Sequence, residues 1–162
     1  MSARRAGEVF EANKAAGEEA AANLLLARTL LANGRVPEAR KYVDQAAKVA
    51  SETHNRALQL SAAVVGARVR ASSADPKDAR DALASLKNLV ETPGASTFAE
   101  EQYEARLALG EIEMKSADRA AGRSYLEALQ KEAFSQGFQL IAQKAASALG
   151  ESRNQAGLHT QN

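Results

Sequence analysis

The chain has 162 residues, of which 37 are alanine, and it contains no cysteine, no tryptophan and two histidines. This composition excludes a disulfide framework, a thiolate metal site and a cysteine nucleophile. Twenty-one basic residues oppose 20 acidic ones, and this net charge of +1 argues against a polybasic nucleic-acid binder. Because alanine favours helices over strands, the composition predicts an all-α protein of one domain or one short repeat array.

Helical periodicity and turn residues predict eight helices in chain order, at about 3–14, 18–33, 36–52, 55–72, 76–91, 97–115, 118–134 and 138–149. Glycine at position 34 suits the left-handed end of the second helix, and Pro37 suits the opening turn of the third. Asp75 and Pro76 are expected at the N-cap and first position of the fifth helix.

The later part of the chain has one long loop and a polar end. Thr92-Pro93-Gly94 predicts a helix end, and Thr97 with Glu100 has the spacing of a capping box. Residues 151–162 are polar and without pattern, which predicts a disordered tail after a helical domain of residues 1–150. No apolar run is long enough for a membrane helix, so we expect no membrane insertion.

An internal repeat organises the helices. Leu24 to Arg28 aligns with Val64 to Arg68 after 40 residues, and with Leu107 to Glu111 after 43 more. Each copy has a small residue in mid-helix and another 12 residues later, followed after four positions by a large apolar residue. The small residues are Ala27, Ala67 and Gly110, then Ala39, Ala79 and Gly122. Small residues at fixed places let two helices approach closely, so the repeating unit is a helix pair.

The first helix pair resembles a tetratricopeptide repeat. Ala27, Gly34, Ala39 and Ala46 fall at the small-residue, turn and second-helix positions of that family's pattern. The resemblance implies a right-handed α-α superhelix with helix pairs at about 18–52, 55–91 and 97–134. It also implies a non-catalytic protein–protein interaction or scaffolding module, of the long-period type found in bacterial regulatory and signalling proteins.

The ends of the array complete this interpretation. Val9 and Phe10 lie 40 residues before Val49 and Ala50, so the helix at 3–14 is expected to be the second half of an earlier repeat. The helix at 138–149 is expected to cap the last pair. We therefore hypothesise that the chain is the carboxy-terminal part of a longer protein. An alternative is self-association through the amino-terminal half repeat.

In a superhelix of this family the first helix of each pair lines a concave groove, where a protein or peptide partner binds. Carried over by position, the predicted groove residues are Leu24, Arg28, Leu31, Val64, Arg68, Leu107, Glu111 and Met114. Arg28 and Arg68, one repeat apart, are candidates for clamping acidic side chains, although either could simply pair with a neighbouring acid. The competing interpretation is a small-ligand-sensing domain of a kinase, cyclase or transcription regulator.

Residues with catalytic chemistry do not form a recognisable motif. Glu100, Glu101 and Glu104, followed by Glu111 and Glu113, are best explained as a solvated helix face rather than a metal site. His54 is expected in a loop, and Tyr42 and Tyr125 in contacts between helices.

We therefore predict no enzyme activity, no cofactor and no bound metal, and no direct contact with nucleic acid. The sequence suits a cytoplasmic protein, with the periplasm as an alternative for a membrane-anchored parent. Replacement of Ala39 or Ala79 by leucine is expected to overpack a helix pair.

Overall fold

A computed structural model describes residues 3–91, 95–116 and 118–158, and these form helices and no strand. The all-α class predicted from the composition is therefore confirmed. The seven α-helices are α1 (Ala3–Ala32), α2 (Val36–Glu52), α3 (Arg56–Ala71), α4 (Pro76–Glu91), α5 (Ala99–Met114), α6 (Arg119–Ser135) and α7 (Gln139–Leu158). A short 3₁₀ helix, Ala95–Phe98, precedes α5.

The amino-terminal half repeat predicted at residues 3–14 does not form a separate helix. Residues 3–14 and 18–32 belong to one continuous helix, α1. Gly17, the glycine between the two predicted helices, disfavours a helix by only about 1 kcal/mol relative to alanine. Without a proline or a capping residue beside it, this glycine does not end the helix.

Most predicted helix ends are confirmed, with their capping groups. Gly34 has a φ of +74°, as expected for a left-handed turn residue, and Pro37 lies in the first turn of α2. The Asp75 carboxylate accepts a hydrogen bond of 2.8 Å from the backbone N–H of Lys77. The capping box predicted at Thr97 is wrong, because α5 begins at Ala99, without a side-chain cap, after the 3₁₀ helix that contains Thr97.

The predicted disordered tail is also helical in part, since α7 continues to Leu158. The loop predicted at 92–94 and residues 159–162 of the tail lie outside the described residues.

The chain divides into two compact units, Met1–Asp78 and Ala79–Asn162, with the boundary inside α4. In the first unit α2 packs against α1 and α3, and α3 also contacts α1. The buried stripes of these three helices form one core, in which alanines alternate with larger side chains. Its buried members are Ala20, Leu24, Ala27, Leu30, Ala39, Val43, Ala46, Ala50, Leu58, Ala62, Val65 and Val69.

The second unit has the same arrangement, with α6 packed against α5 and α7, and α7 also in contact with α5. Two glycines set the distance between α5 and α6. A β-carbon on Gly110 would lie 2.5 Å from the Leu126 side chain, and one on Gly122 would lie 2.5 Å from the Met114 backbone nitrogen. Such distances are below van der Waals contact, so the two helices pack as closely as glycine permits.

The two units repeat each other with a constant offset of 83 residues. Both α2 and α6 have 17 residues, and α6 begins and ends 83 positions after α2. Helix α7 likewise begins 83 positions after α3. The offset also pairs the buried positions of the helices, for example Ala39 with Gly122, Val43 with Leu126 and Leu58 with Ile141. In these helices the first and third copies of the predicted repeat are therefore equivalent at the buried positions named here.

Helix α4 differs from this pattern. In α2 and α6 the fourth and eighth residues are buried, but the corresponding Ala79 and Leu83 of α4 are only half-buried. Its fully buried residues are Ala82 and Leu86 instead. Ala79 is therefore less buried than its equivalents Ala39 and Gly122, and the fully buried residues of α4 lie three positions later along the chain.

Candidate partner-binding surfaces

Five of the eight predicted groove residues lie inside the protein or at the edge of its core. Leu24 belongs to the core of the first unit, and Leu31 packs against it. Leu107 and Met114 belong to the core of the second unit. Val64 is 1% exposed. The four buried side chains are not available to a partner in the folded chain, and Leu31 is half-buried against the core.

The three charged groove residues are at or near the surface. Arg28 is exposed, whereas Arg68 and Glu111 are half-buried. Arg28 lies on α1 and Arg68 on α3, two helices of the first unit that contact each other. Glu111 is the equivalent of Arg28 under the 83-residue offset, so the two units present opposite charges at this position.

A surface stripe that the sequence analysis did not identify lies on α1. Ala22, Leu26 and Thr29 are exposed, and their i, i+4, i+7 spacing places them on one face of the helix. We call this set the outward stripe. Its equivalents in α5, Ala105, Leu109 and Ile112, are all buried. The same apolar face is therefore covered in one unit and uncovered in the other.

Helix α4 lies beside α5 in the second unit. The Lys87 ammonium is 3.1 Å from a carboxylate oxygen of Glu113, and the side-chain amide of Gln102 donates a 3.2 Å hydrogen bond to the Val90 carbonyl. Gln102 thereby satisfies one of the free carbonyl groups at the carboxyl end of α4. On α1 the equivalent of Gln102 is Glu19, which is exposed and cannot donate such a bond when ionised.

The outward face of α7 provides a contrast. Leu60, Val64 and Ala67 of α3 are buried. The α7 positions 83 residues later are Gln143, Ser147 and Gly150, and all three are exposed. This face is therefore buried and apolar on α3, whereas on α7 it is exposed and lacks large apolar side chains. An exposed face of this kind is expected for a helix that caps a repeat array. In the open outward stripe of α1 only Thr29 is polar, at the position of Ile112 in α5, whereas Ala22 and Leu26 remain apolar.

A polar and aromatic cluster joins α5, α6 and the residue before α7. Arg106 makes two hydrogen bonds of 2.7 Å to the two carboxylate oxygens of Glu132, and the Tyr103 hydroxyl donates to the same carboxylate at 3.1 Å. The Tyr103 ring packs against Phe138 with centroids 4.4 Å apart, and the Arg106 guanidinium lies 5.3 Å from the Tyr103 ring centroid. Each side chain of this cluster touches another helix of the same unit, so its role is structural.

These contacts and burial shift the pKa values of Glu132 and of two tyrosines nearby. The hydrogen bond from Arg106 lowers the pKa of the Glu132 carboxyl, partly opposed by burial. Burial raises the pKa of the Tyr103 phenol, and the hydrogen bond to Glu132 raises it further. Burial is also the main cause of the raised pKa of Tyr125, opposed by a hydrogen bond with Arg106. The unit therefore holds Glu132 ionised and its two tyrosines neutral.

The carboxylate-rich face predicted on α5 is divided among separate contacts. Glu104 pairs with Lys144 of α7 at 2.6 Å, and Glu113 pairs with Lys87. Across residues 3–91, 95–116 and 118–158, no three histidine or carboxylate side chains converge where they could share a metal ion. Within the described part of the chain, no helix has the length and apolarity that a membrane crossing requires.

The histidine and the two tyrosines named in the sequence analysis lie in a turn and in packing contacts. His54 is exposed in the turn between α2 and α3, as predicted, with a φ of +56°. Its Nδ1 lies 3.2 Å from the Glu52 carbonyl oxygen. Tyr42 packs against the core of the first unit, and Tyr125 is half-buried beside Gly110. Both tyrosines therefore contact other helices, as the sequence analysis predicted.

Comparison of the chain with protein-family models, with curated proteins and with solved structures returns no match in any of the three. The tetratricopeptide resemblance therefore rests on the sequence pattern alone, and the surfaces described above are interpreted from their own chemistry.

Proposed function

We propose that this protein is a non-catalytic protein–protein interaction module that binds an amphipathic helix of its partner along the outward stripe of α1. The observation that supports this most strongly is the exposure of Ala22, Leu26 and Thr29, whose equivalents in α5 are buried. Exposed apolar stripes on an otherwise well-packed helix are typical of interaction surfaces. Laying an amphipathic helix along such a stripe is a common mode of peptide recognition.

The chemistry of the partner follows from the comparison with α4. The stripe needs apolar residues at helical spacing, of the kind that α4 has in its buried Ala82 and Leu86. Where Gln102 donates to the end of α4, α1 presents Glu19, preceded by Glu18. Two carboxylates beside a helix carboxyl end would repel its partial negative charge. The partner helix therefore carries lysine or arginine in its last turn, where these residues pair with both glutamates.

A displayed library of amphipathic helical peptides, selected on the immobilised chain, tests this proposal. We expect ligands with an apolar stripe and basic residues in the last turn. Their affinity should fall at least about tenfold for the Leu26→Asp chain. Leu140→Asp is the matched control, because Leu140 is 63% exposed but lies on α7. Ligands that bind Leu26→Asp as tightly as the unaltered chain would overturn the proposal.

Glu19→Lys separates the charge requirement from the apolar one. This substitution should weaken the selected basic peptides and leave peptides with an uncharged last turn unaffected. Equal binding of the basic peptides to both chains would show that Glu19 has no part in recognition.

Two arginines among the predicted groove residues are the basis of a second proposed binding surface in the same function class. Arg28 is exposed on α1, and Arg68 lies on the adjacent α3. Such a pair fits a segment with closely spaced carboxylates. Acidic peptides should bind the Arg28→Ala/Arg68→Ala chain more weakly than the unaltered one. An unchanged affinity would show that the two arginines do not bind acidic peptides.

A further inference from the structure

The turn between α1 and α2 contains the one asparagine in the sequence that is followed by glycine. Asn33 and Gly34 are both exposed, directly after the last residue of α1. Gly34 has a φ of +74°, and a β-carbon added to it would meet nothing within 4 Å. The peptide bond that joins the two residues is therefore open to solvent and is not crowded by a side chain on Gly34.

This dipeptide has a known weakness in its covalent chemistry. Asparagine is thermolabile because the backbone nitrogen of the next residue can attack its side-chain amide. In the first step the Gly34 nitrogen bonds to Cγ of Asn33, the bond from Cγ to Nδ2 breaks, and the Gly34 amide proton leaves with Nδ2 as ammonia. Water then opens either carbonyl–nitrogen bond of the cyclic imide, which gives aspartate or isoaspartate. The net reaction consumes one water, releases one ammonia and needs no oxidant or reductant.

Three hydrogen bonds close the end of α1 around the reacting atoms. The Asn33 side-chain amide donates to the Thr29 carbonyl at 2.9 Å, and the Gly34 N–H donates to the Leu31 carbonyl at 3.0 Å. The Arg35 N–H donates to the Leu30 carbonyl at 2.9 Å, which completes the usual hydrogen-bonded ending of a helix with a left-handed glycine. Attack on Cγ requires the first two bonds to open.

We propose that Asn33 is a site of deamidation and that opening of the last turn of α1 controls its rate. Helix ends open at low cost compared with global unfolding, so the reaction proceeds in the folded chain. The two hydrogen bonds that must break slow it about tenfold relative to a free peptide. Five other asparagines precede a residue with a side chain, and these are Asn13, Asn23, Asn55, Asn88 and Asn154.

Both products weaken the turn that joins α1 to α2. Aspartate at position 33 loses the donor to the Thr29 carbonyl and adds a negative charge at the carboxyl end of α1, where the helix dipole disfavours it. Isoaspartate adds a methylene group to the main chain between the helix and Gly34, so the closing hydrogen bonds lose their spacing. This modification goes beyond the proposed function, because it requires no partner.

Ageing of the folded chain in mildly alkaline buffer, followed by tryptic digestion and mass spectrometry, tests the proposal. Cleavage after Arg28 and Arg35 releases residues 29–35, which contain Asn33, and a synthetic peptide of the same residues is the unfolded reference. We expect Asn33 in the folded chain to deamidate about tenfold more slowly than in the peptide. Asn13, which is also exposed on α1, is the internal control and should stay unmodified while Asn33 is half converted.

The rate in urea tests the control by the end of the helix. In a concentration of urea that unfolds the chain, the rate at Asn33 should rise to that of the free peptide. Three results would overturn the proposal. These are no conversion of Asn33 over about a hundred half-lives of the free peptide, conversion of Asn13 as fast as Asn33, and a rate in the folded chain equal to that of the peptide.

A matched pair of variants tests the structural consequence. Asn33→Asp reproduces one product, and Asn13→Asp adds the same charge to the amino-terminal half of the same helix. We expect a lower midpoint of thermal unfolding for Asn33→Asp than for the unaltered chain, and a smaller or no decrease for Asn13→Asp. Equal midpoints for the two variants would show that the end of α1 does not depend on the Asn33 amide.

Discussion

Gly122 lies so close to α5 that a β-carbon added to it would be 2.5 Å from the backbone nitrogen of Met114. Backbone atoms cannot move away as the end of a flexible side chain can, so α5 and α6 must separate to admit even one methyl group. We expect Gly122→Ala to lower the free energy of unfolding by about 1–3 kcal/mol. Urea denaturation followed by circular dichroism measures this change.

Gly150→Ala is the control for that experiment. Gly150 is a helical glycine of α7 with open space around its added β-carbon. This substitution should raise the free energy of unfolding by about 0.5–1 kcal/mol, because alanine favours the helix. If both substitutions stabilised the protein, the close contact between α5 and α6 would be incorrect.

Alanine positions in α2 and α4 can be ranked by burial. Ala39 and Ala82 are fully buried, so replacement of either by leucine should destabilise the protein by about 1–3 kcal/mol. Ala79 is half-buried, and Ala79→Leu should cost less than about 1 kcal/mol. Chemical denaturation of the three variants gives the order directly. A larger loss of unfolding free energy for Ala79→Leu than for Ala82→Leu would show that Ala79 is the more tightly packed position, as the internal repeat predicts.

The turn between α2 and α3 contains a non-glycine residue in a left-handed conformation. His54 has a φ of +56°, and its equivalent 83 residues later, Gly137, has a φ of +84°. A side chain in this region costs about 1–2 kcal/mol, which glycine avoids at some cost in chain entropy. We expect His54→Gly to raise the free energy of unfolding by about 0.5–1 kcal/mol. Gly137→Ala should lower it, and the opposite signs would contradict the equivalence of the two turns.

The pKa of Glu132 gives the second unit a defined response to acid. Because Arg106 lowers the folded-state pKa of Glu132, this carboxylate stabilises the fold above its unfolded pKa of about 4.3. That stability is lost as the pH falls through the folded value. Glu132 is partly exposed, so we expect Glu132→Gln to cost only about 0.5–1 kcal/mol at pH 7. The difference from the unaltered chain should shrink as the pH is lowered towards 3.

Glu127→Gln serves as the comparison for Glu132. Glu127 pairs with Arg123 on the exposed surface of α6, so its replacement should cost less than about 0.5 kcal/mol. Denaturation curves between pH 7 and 3 measure both variants. A Glu132→Gln difference that stays constant over this range would show that Arg106 does not control the titration.

Much of the fold was predictable because its signals are local. Gly34, Pro37 and Asp75 each act on the backbone beside them, and the helix ends that they predict are correct. The break predicted between residues 14 and 18 is absent from α1. One glycine lowers the stability of a helix by only about 1 kcal/mol, which does not end a helix that nothing else interrupts. Thr97 failed as a cap because a 3₁₀ turn comes between it and α5.

Which face of a helix is buried could not be predicted from one sequence. In α4, Ala79 with Leu83 and Ala82 with Leu86 both have a small residue followed by a large one, and only the packing selects the second pair. Leu24 and Leu107 were assigned to a groove because the repeat pattern does not separate core positions from surface positions. The outward stripe could have been noticed by aligning Ala22, Leu26 and Thr29 with residues 83 positions later, but its exposure is a property of the fold.

The central claim is that a partner helix binds the outward stripe of α1, and chemical-shift mapping tests it most directly. The ¹⁵N-labelled chain should be titrated with a peptide selected as described above. We predict that the largest shift changes occur at backbone amides of residues 18–32 and that Leu26→Asp abolishes them. Shift changes confined to residues 99–158, or unchanged in Leu26→Asp, would contradict the account.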